Sequence, residues 1–497
     1  MSPSPFSSDE ALARAANGRW LRRPTAASPY PAVDPVSTDS RAIAPGQAFV
    51  ALKGDRFDAH DFLDAASRAG ARCAVVERDV ALPAGSPTGL LRVASTRAAL
   101  LALGAAHRRS LANTRVLAVG GSNGKTTCVR LLGAALSASL RGRWSPKSFN
   151  NDVGVPVTLL SARPDDLFLV CEVGTNAPGE IEPLARAVAP DAAIITSLGR
   201  EHLEGLGSID AVAREEAALL TGLRPGGLAL VADDPVLVDH ARAVLGGPAV
   251  PAGLLTFGPS ASADIRITNA RHEHLNNTAG VAFTVETADT PAAAFWLPLL
   301  GTHNALAAGA VVALARWAGL ADDAIRAGLA RAEPAPMRLS PQRTRNVCFL
   351  NDAYNANPES MIAAFKVFAD PDATPRDIRR RGVVLGEMLE QGDAGPVLHL
   401  EVLEHLVATV GPLDPAFVAL VGDLFARHTE WLRSALPRST VVHASRTDVS
   451  PVAALLREGD YVLLKGSRAT ALERVADAWS KAGAQMQEPK PAGAARV

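Results

Sequence analysis

The sequence predicts an α/β protein of three domains, with a parallel sheet in the middle domain. Three observations support this fold class. Short apolar runs of strand length alternate along the chain with segments of helical period. The 497 residues exceed what a single hydrophobic core usually serves. One apolar run, at 116–119, leads into a glycine-rich turn and then into a helical segment, which is the order of a phosphate-binding βα unit.

Composition and charge restrict the possible partners and the compartment. The formal net charge of −1 gives no reason to expect nucleic acid or an anionic membrane as a partner. The first residues do not combine a basic segment with an apolar one, and no apolar run approaches a membrane span, so we expect a cytoplasmic protein. The cysteines have no paired spacing, which favours reduced thiols over a disulfide framework or a zinc site. They are Cys73, Cys128, Cys171 and Cys348.

Residues 1–112 are predicted to form a small first α/β domain. A polar loop at 37–41 lies ahead of its main strands, and its local chemistry alone indicates a solvated turn. Apolar residues on one face predict the helices. The predicted strands are at 48–52, 71–77 and 89–95, and the predicted helices are at 59–69 and 96–108.

Residues 113–337 are predicted to form a nucleotide-binding domain, because four apolar runs separated by helical segments indicate a parallel sheet. In such a sheet, ligands lie beyond the carboxyl ends of the strands. The four runs are at 116–119, 167–173, 192–198 and 227–233, and β-like runs follow at 263–268, 280–287 and 293–299.

Residues 338–497 are predicted to form a third domain with a doubly wound sheet and a disordered tail at 485–497. Each of its five apolar runs ends in a polar or glycine-rich turn. These runs are at 347–352, 382–388, 417–423, 439–445 and 460–467.

The segment 116–127, which reads VLAVGGSNGKTT, carries the clearest chemical signal. A P-loop binds phosphate through backbone N–H groups, with a lysine that reaches the β/γ-phosphates and a hydroxyl that ligates Mg²⁺. We expect Lys125 and Thr126 to have these two roles. Val119 stands where the general P-loop has a glycine, but the flanking strand and helix favour ATP binding over a turn with an incidental lysine. The predicted ATP-binding residues of the loop are Gly121, Ser122, Asn123, Gly124, Lys125, Thr126 and Thr127.

Three further side chains are candidates for holding Mg²⁺. Glu172 ends a buried strand beside the loop, where a metal would be held, although an exposed loop glutamate is an equal alternative. His202 follows the next strand, but a lone histidine is usually structural. Glu216 lies on the apolar face of a helix marked by Ile209 and Leu219, so it must be paired, protonated or metal-bound. A salt bridge to an arginine or lysine is its alternative.

These motifs occur in an order that resembles the Mur ligase family over nearly the whole chain. The likeness is greatest to the type that adds D-alanyl-D-alanine to UDP-N-acetylmuramoyl-tripeptide. The most discriminating block is YNANP at 354–358, followed by Ser360 and Met361, and the D-N-P-R block usual in the sister ligase that adds the third residue is absent. The other blocks are STDSR at 37–41, GGSNGKTT at 120–127, FNNDVGVP at 149–156, CEVGTNAPGE at 171–180, EHLEGLGS at 201–208, GTHNALAA at 301–308, LGEMLEQGD at 385–393 and LLKGSRATALE at 463–473.

The resemblance implies a fold and a reaction. The first domain would bind the UDP-sugar, the central P-loop domain would bind ATP, and the third would be a Rossmann-like ligase domain. The reaction would form an amide bond in peptidoglycan precursor synthesis, and so serve cell-wall biogenesis, cell shape and division. The γ-phosphoryl of ATP would pass to the tripeptide carboxylate, and the amine of D-alanyl-D-alanine would attack the acyl phosphate. The implied cofactors are ATP and Mg²⁺, and a monomer is expected.

The resemblance also assigns roles to residues at matching positions. Lys125, Glu172, His202 and Glu216 would act in catalysis, and the metal ligands would be Thr126, Glu172, His202 and Glu216. His303, Asn304, Arg338 and Asp352 would lie near the nucleotide. The substrate-binding residues would be Ser40 and Arg41 at the UDP end, Asn150 and Asn151 at the muramoyl-peptide, and Asn355, Asn357, Lys465 and Ser467 at the peptide and the incoming dipeptide.

Four positions depart from the family's pattern. The family usually has a lysine fourteen residues after His202, whose carbamate stabilises the magnesium site, and Glu216 stands there. We hypothesise that the Glu216 carboxylate replaces the carbamate without bicarbonate. Ser197 and Ala307 replace asparagines, and Asn351 replaces an acidic residue, which leaves open a divergent or weakened enzyme.

Two alternative functions stay open at this point. One is a Mur-like ligase with another substrate, such as a folylpolyglutamate-type or cyanophycin-type enzyme, although the YNANP block and the UDP-like first domain argue against it. The other is a nucleotide-binding partner protein that has lost catalysis, for which Glu216 is the best support. A motor-type P-loop ATPase is disfavoured, because no aspartate-ended Walker B strand or arginine finger is evident.

Overall fold

The computed structural model forms three sheets among the residues it describes, of five, nine and six strands. Each sheet lies within one of the three predicted domain ranges, whose exact boundaries stay predictions. The structure describes residues 4–25, 29–32, 34–54, 57–246 and 253–487. Among these residues, no helix combines the length and the apolar character needed to cross a bilayer.

The first domain is a five-stranded sheet with helices against it. Its strands are β1 Arg19–Arg22, β2 Val36–Ser37, β3 Ala48–Val50, β4 Cys73–Val76 and β5 Gly89–Arg92. Its helices are α1 Asp9–Ala15, α2 Leu63–Arg68 and α3 Thr96–Ser110. The strand order is β1-β5-β4-β3-β2, in which β1 is antiparallel to β5 and the other pairs are parallel.

The central domain is a nine-stranded sheet that is parallel at one side and antiparallel at the other. Its strands are β6 Arg115–Gly120, β7 Gly142–Trp144, β8 Phe168–Glu172, β9 Ala192–Ile195, β10 Leu228–Ala232, β11 Leu254–Gly258, β12 Ile265–Leu275, β13 Thr278–Thr287 and β14 Thr290–Leu297. Its helices are α4 Lys125–Leu136, α5 Gly154–Ser161, α6 Ile181–Val188, α7 Leu203–Leu206, α8 Ile209–Ala217, α9 Pro235–Val244, α10 Asn304–Trp317 and α11 Asp322–Leu329. The strand order is β14-β13-β12-β11-β10-β9-β6-β8-β7.

The third domain is a six-stranded sheet, parallel except for one edge hairpin. Its strands are β15 Ser340–Thr344, β16 Val347–Asp352, β17 Arg380–Gly386, β18 Phe417–Val421, β19 Thr440–Ala444 and β20 Asp460–Lys465. Its helices are α12 Pro358–Ala369, α13 Gly395–Thr409, α14 Asp423–Ala426, α15 Thr429–Ala435, α16 Ser450–Ala453 and α17 Glu473–Gln487. The strand order is β15-β16-β20-β17-β18-β19.

The central sheet is buried on both faces, which explains why its strands read as continuous apolar runs. Along β6, Leu117 and Val119 pack into one core, and Val116 and Ala118 pack into the core on the opposite face. The polar and glycine residues that follow these strands are therefore confined to the carboxyl edge of the sheet, where the phosphate loop lies.

Two predicted elements differ from the structure. The predicted helix at 59–69 is a 3-10 turn, Ala59–Phe62, followed by the short α2, because the Asp58 side chain accepts from the N–H of His60 and tightens the start. The predicted tail begins at 485, whereas α17 runs to Gln487; the disorder of the tail stays a prediction. Residues 488–497 lie outside the described part of the chain.

Five strands were not predicted from the sequence. β2 and β7 are two and three residues long, too short to show an alternation, and β1 carries arginine at both ends. β15 consists of a proline and four polar residues, as an edge strand tolerates. The fifth, β11, pairs in parallel with β10 and β12.

The buried ion pair of the third domain gives a test of the fold. Asp460 is 1% exposed and binds both Nε and Nη2 of Arg380 at 2.8 Å. Asp460→Asn removes the buried charge that binds the partly exposed Arg380 guanidinium and the N–H of Arg457, so we expect the unfolding free energy of this domain to fall by about 1.5 kcal/mol. Asp377→Asn is the matched control, because Asp377 pairs with Arg343 at the surface and should matter little. Equal effects in calorimetric unfolding would contradict the expectation.

Candidate active site

The candidate active site is a cleft of about 540 Å³ between the central and third domains. One wall is the carboxyl edge of the central sheet, where ligands of open parallel sheets bind, and the other is formed by loops that follow β16 and β20. The cleft brings together residues that lie far apart in the sequence. The predicted site residues that line it are Ser122, Asn123, Gly124, Lys125, Thr127, Asn150, Asn151, Glu172, His202, His303, Asn304, Arg338, Asp352, Asn355 and Lys465.

Glycine conformation shapes the turn between β6 and α4. Gly124 has a φ of 86°, in the left-handed region, and immediately precedes α4. Gly121 has a φ of 107°, and a Cβ there would lie 2.4 Å from Oγ1 of Thr196. The turn therefore packs directly on the end of β9. The first N–H groups of α4 have no acceptor within the helix, and such a helix start binds phosphate.

Three N–H groups ahead of α4 are used by the protein itself. Gly121 donates to Oε2 of Glu216 at 2.5 Å. Ser122 donates to the carbonyl of Ser197, and Asn123 donates to the Ser197 hydroxyl, each at 2.9 Å. These amides hold the loop in shape, so the N–H groups from position 124 onward are the ones left to meet phosphate. Ser197, which departs from the family's asparagine, fixes the loop here.

Lys125 is a buried cation surrounded by oxygen atoms. Its Nζ donates to the carbonyl of Gly121 at 2.5 Å and lies 3.3 Å from Oε1 of Glu201. Burial acts to lower the pKa of Lys125, but the charges of Glu201, Glu216 and Glu172 outweigh it and hold that pKa above its usual value. Lys125 therefore carries its positive charge at neutral pH.

Glu216 lies beneath the loop and does not line the cleft. The prediction that it faces inward from α8 is confirmed, since it is 1% exposed. One carboxylate oxygen accepts from Gly121, and the other, Oε1, is buried without a hydrogen-bond partner among the described residues. Burial raises the pKa of Glu216 to about 7, and the Lys125 ammonium limits the rise. Its role as a metal ligand stays a prediction, because its contact here is with the loop backbone.

Glu172, the last residue of β8, is buried beside the loop. Its Oε1 accepts from Nδ2 of Asn150 at 3.1 Å, and its Oε2 has no hydrogen-bond partner in the part of the chain that the structure describes. Burial raises the pKa of Glu172, while Arg338, Lys125 and the Thr126 hydroxyl limit the rise. The carboxylate and the Thr126 hydroxyl therefore lie next to each other.

Thr126 and Glu172 fit what a nucleotide-bound Mg²⁺ requires. Mg²⁺ usually keeps several waters and takes one or two protein oxygens together with phosphate oxygens. The partnerless Oε2 of Glu172 and the Thr126 hydroxyl are such oxygens. In the described ranges, no three His, Cys, Asp or Glu side chains converge into a metal site. The donor set therefore suits a metal that arrives with the nucleotide.

His202 connects the central domain to the third domain. Its Nδ1 lies 2.5 Å from Oε2 of Glu390, and its Nε2 lies 4.0 Å from Oε2 of Glu201. Burial acts to lower the pKa of His202, but the hydrogen bond to Glu390 and the charge of Glu201 hold it above the usual value. The predicted metal-ligand role of His202 stays a prediction. The contact present here joins two domains.

Helix α12 of the third domain docks on the phosphate loop. Asn357 caps α12, and its Nδ2 donates to Oδ1 of Asn123 at 2.9 Å. Arg200, which follows β9, binds Glu359 at 2.6 Å and Glu401 at 2.7 Å. Both carboxylates belong to the third domain, so these contacts hold that domain against the cleft.

Two further cations face the cleft from its third-domain side. Lys465 is buried and binds Asp352 at 2.8 Å and the carbonyl of Asn355 at 2.7 Å. Burial lowers the pKa of Lys465, against the opposing charge of Asp352. Arg338 donates to Oγ1 of Thr126 at 3.0 Å. The predicted nucleotide residues Arg338 and Asp352 therefore lie across from the phosphate loop.

His303 and Asn304 lie at the start of α10, elsewhere along the cleft. The side chain of Asn304 donates to the carbonyl of Leu300 at 2.7 Å, and its N–H donates to the carbonyl of Gly301 at 2.9 Å. Gly301 has a φ of 98°, and a Cβ there would lie 2.4 Å from the His303 ring. The turn is therefore compact, and Asn304 is held in it by its own hydrogen bonds.

Ser40 and Arg41 lie apart from this cleft, in the loop after β2 of the first domain. Arg41 is exposed, and its guanidinium pairs with Asp39 at 2.8 Å. Their assignment to the UDP end stays a prediction. The other predicted residues that do not line the cleft are Gly121, Thr126, Glu216, Asn357 and Ser467.

Sequence reasoning missed several residues that build the site. Glu201 and Glu390 lie within the motif blocks 201–208 and 385–393. Their presence in these blocks could have identified them as site residues. Arg200 had no local signal, because its partners lie 159 and 201 positions away. Glu215 is also buried, and accepts from the backbone N–H groups that lead into α6 at 2.8 and 2.9 Å.

Comparison with known families covers most of the chain. The family model described as the Mur ligase middle domain matches residues 119–315. The glutamate ligase domain of Mur ligases matches residues 337–468, and the Mur ligase catalytic domain matches residues 33–112. The chain belongs to the Mur ligase family. The predicted family, the α/β fold class and ATP-dependent amide-bond formation are thereby confirmed.

Individual relatives are similar to this chain over almost its full length. The UDP-N-acetylmuramoyl-tripeptide–D-alanyl-D-alanine ligase of Escherichia coli (strain K12) is 35% identical over 464 residues, covering 91% of this chain and 94% of that protein. The enzyme of the same name from Bacillus subtilis (strain 168) is 31% identical over 444 residues, covering 88% and 92%. A crystal structure of MurF from Acinetobacter baumannii superposes with a TM-score of 0.80 at 28% identity, covering 95% of this chain and 98% of that one.

The stability of the nucleotide-free protein should depend on pH through Glu216. Its folded pKa of about 7 lies above the ordinary carboxyl value of 4.5, so the unfolded chain releases this proton first. The folded protein therefore loses up to about 3 kcal/mol as pH rises from 4.5 to 7. We expect Glu216→Gln, neutral throughout, to be more stable than the wild type at pH 8 and nearly equal to it at pH 4.5.

Thermal unfolding at the two pH values measures this difference. Glu404→Gln is the control, because Glu404 is an exposed carboxylate on α13 and the same substitution there should leave the melting temperature unchanged at both pH values. If Glu216→Gln is no more stable than the wild type at pH 8, then burial does not oppose the ionisation of Glu216.

Proposed function

We propose that this chain joins D-alanyl-D-alanine to UDP-N-acetylmuramoyl-tripeptide with cleavage of ATP to ADP and phosphate, in the synthesis of peptidoglycan precursors. The observation that carries the proposal is the position of the YNANP block at 354–358. Its Asn357 is bonded to Asn123 of the phosphate loop, and its Asn355 lines the opposite wall of the same cleft. The block most typical of this ligase type therefore lies where phosphate transfer and amide formation must meet.

The chemistry explains why both walls are required. A carboxylate does not acylate an amine at neutral pH, because it is resonance-stabilised and lacks a leaving group. Transfer of the γ-phosphoryl group to the tripeptide carboxylate forms an acyl phosphate and releases ADP. The dipeptide amine then attacks the acyl carbon, and phosphate leaves from the tetrahedral intermediate. The protein contributes positioning and charge neutralisation.

The residues of the cleft match these requirements. Lys125 and the opening N–H groups of α4 face the β- and γ-phosphates, and Arg338 approaches them from the other wall. Thr126 and Glu172 would hold Mg²⁺, which supplies further neutralisation of phosphate oxygens when it is bound. Lys465, paired with Asp352, places a further cation near the acyl phosphate.

Exclusion of water is the second requirement, because an acyl phosphate is readily hydrolysed. The contacts of Arg200 with Glu359 and Glu401 hold the third domain against the central domain. We place the adenine base beside His303 and Asn304. The UDP-sugar is assigned to the first domain, near Ser40 and Arg41, and the peptide reaches the cleft past Asn150 and Asn151.

The main test is phosphate release from Mg-ATP in bicarbonate-free buffer. We expect release only when UDP-N-acetylmuramoyl-tripeptide and D-alanyl-D-alanine are both present, because the acyl phosphate forms on one substrate and is consumed by the other. Replacing the dipeptide with L-alanyl-L-alanine is the control for substrate specificity. ATP binding without release would favour the alternative of a nucleotide-binding protein without catalysis.

The role of Glu216 is tested separately. If its carboxylate replaces the family's carbamate, Glu216→Ala should lose activity by about 10²-fold or more, and added bicarbonate should not restore it. Glu216→Lys provides the comparison, since a lysine at this position can be carbamylated and should regain activity with bicarbonate. Strong bicarbonate dependence of the wild type would rule out the replacement.

A further inference from the structure

Helix α12 touches the central domain at both of its ends. At the amino end, Asn357 donates to Asn123 of the phosphate loop at 2.9 Å. At the carboxyl end, Oδ2 of the capping residue Asp370 lies 2.7 Å from Nδ1 of His272, which belongs to β12. A helix of twelve residues is about 18 Å long, so the two contacts are well separated along the cleft.

His272 is buried between α12 and the turn that begins α10. Its side chain is 3% exposed. Its Nδ1 faces Asp370, and its Nε2 accepts from the N–H of Gly301 at 2.9 Å. A neutral imidazole with its proton on Nδ1 satisfies both hydrogen bonds at once. The ring is therefore a fixed spacer between the third domain and the Gly301 peptide.

Gly301 connects this spacer to the turn that carries His303 and Asn304. Its φ of 98° and the close approach of the His303 ring leave no room for a side chain. Its carbonyl accepts from the N–H of Asn304 at 2.9 Å. Displacement of the Gly301 peptide would therefore move both residues of the proposed base-binding turn.

We propose that His272 is a positioning residue for nucleotide binding, which sets the turn of His303 and Asn304 relative to helix α12. The inference rests on the ATP site proposed above. Because α12 also contacts Asn123, one rigid helix fixes the phosphate end and the base end of the site together. Nucleotide affinity then depends on the docking of the third domain through a residue that itself lines no part of the cleft.

Isosteric substitutions separate the two hydrogen bonds of His272. Asparagine places an amide nitrogen near Nδ1, so it can keep the contact with Asp370 but leaves the Gly301 N–H without an acceptor. Glutamine places an amide oxygen near Nε2, so it can keep Gly301 but loses Asp370. We expect His272→Asn to raise the Kd for ATP, measured by titration calorimetry, by about tenfold. The KM for ATP should rise by a similar factor, while the KM values of the tripeptide and the dipeptide stay unchanged.

A double-mutant cycle tests the link to α12. His272→Gln and Asp370→Ala remove the same contact, so their effects on the Kd for ATP should not add. His274→Asn is the matched control, because His274 is exposed on the same strand two residues further on, and its Kd should equal that of the wild type. Thermal unfolding checks that each variant is folded.

Three results would overturn the inference. The first is a wild-type Kd for ATP in folded His272→Asn. The second is an equal rise in the KM of all three substrates, which indicates a general structural role, and the third is full additivity in the cycle. Absence of ATP binding by the wild type would overturn the proposed ATP site and this inference together. A different result is that substitution of His272 weakens ATP binding but the wild type does not join the two proposed substrates. That result would overturn the proposed substrates and leave the inference about His272 standing.

Discussion

The positive charge of Lys125 is buried at the base of the cleft, and a buried charge without partners costs several kcal/mol. The carboxylates of Glu172, Glu201 and Glu216 supply the compensation, and they come from the end of β8, the segment after β9 and helix α8. No local stretch of sequence can build such a cluster. The packing of the parallel sheet and its helices assembles it, so the phosphate loop depends on the whole central domain.

The cluster also accounts for the shape of the loop. Glu216 accepts from Gly121, and Ser197 accepts from Asn123, so carboxylate and hydroxyl groups tie the loop to the elements behind it. The N–H groups that remain are those at the start of α4. The carboxylates that neutralise Lys125 would also repel a triphosphate. Arg338 and Lys465 of the third domain lie on the opposite wall and supply positive charge that offsets this repulsion.

The sequence predicted the architecture better than it predicted the contacts of individual side chains. Helical period placed Glu216 on the inward face of α8, and the apolar runs located the strands that carry the loop, because both signals are local. The partners of Arg200 and His272 were not predictable, since these contacts join segments about 100 to 200 residues apart. Short edge strands such as β7 were not predicted for a different reason, because three residues are too few to show an alternation of apolar and polar side chains.

The departures from the family's pattern have structural roles that bear on whether catalysis is retained. Ser197 supports the loop, and Ala307 of α10 packs into the hydrophobic core of the central domain. Oε2 of Glu172 is a buried acceptor without a partner among the described residues, and such a group is a standing cost to the folded protein. A cation held between this oxygen and a phosphate would remove that cost. A protein that bound only a nucleotide base would gain nothing from keeping this oxygen, so the buried acceptor favours a site for phosphate with its cation over a site for the base alone.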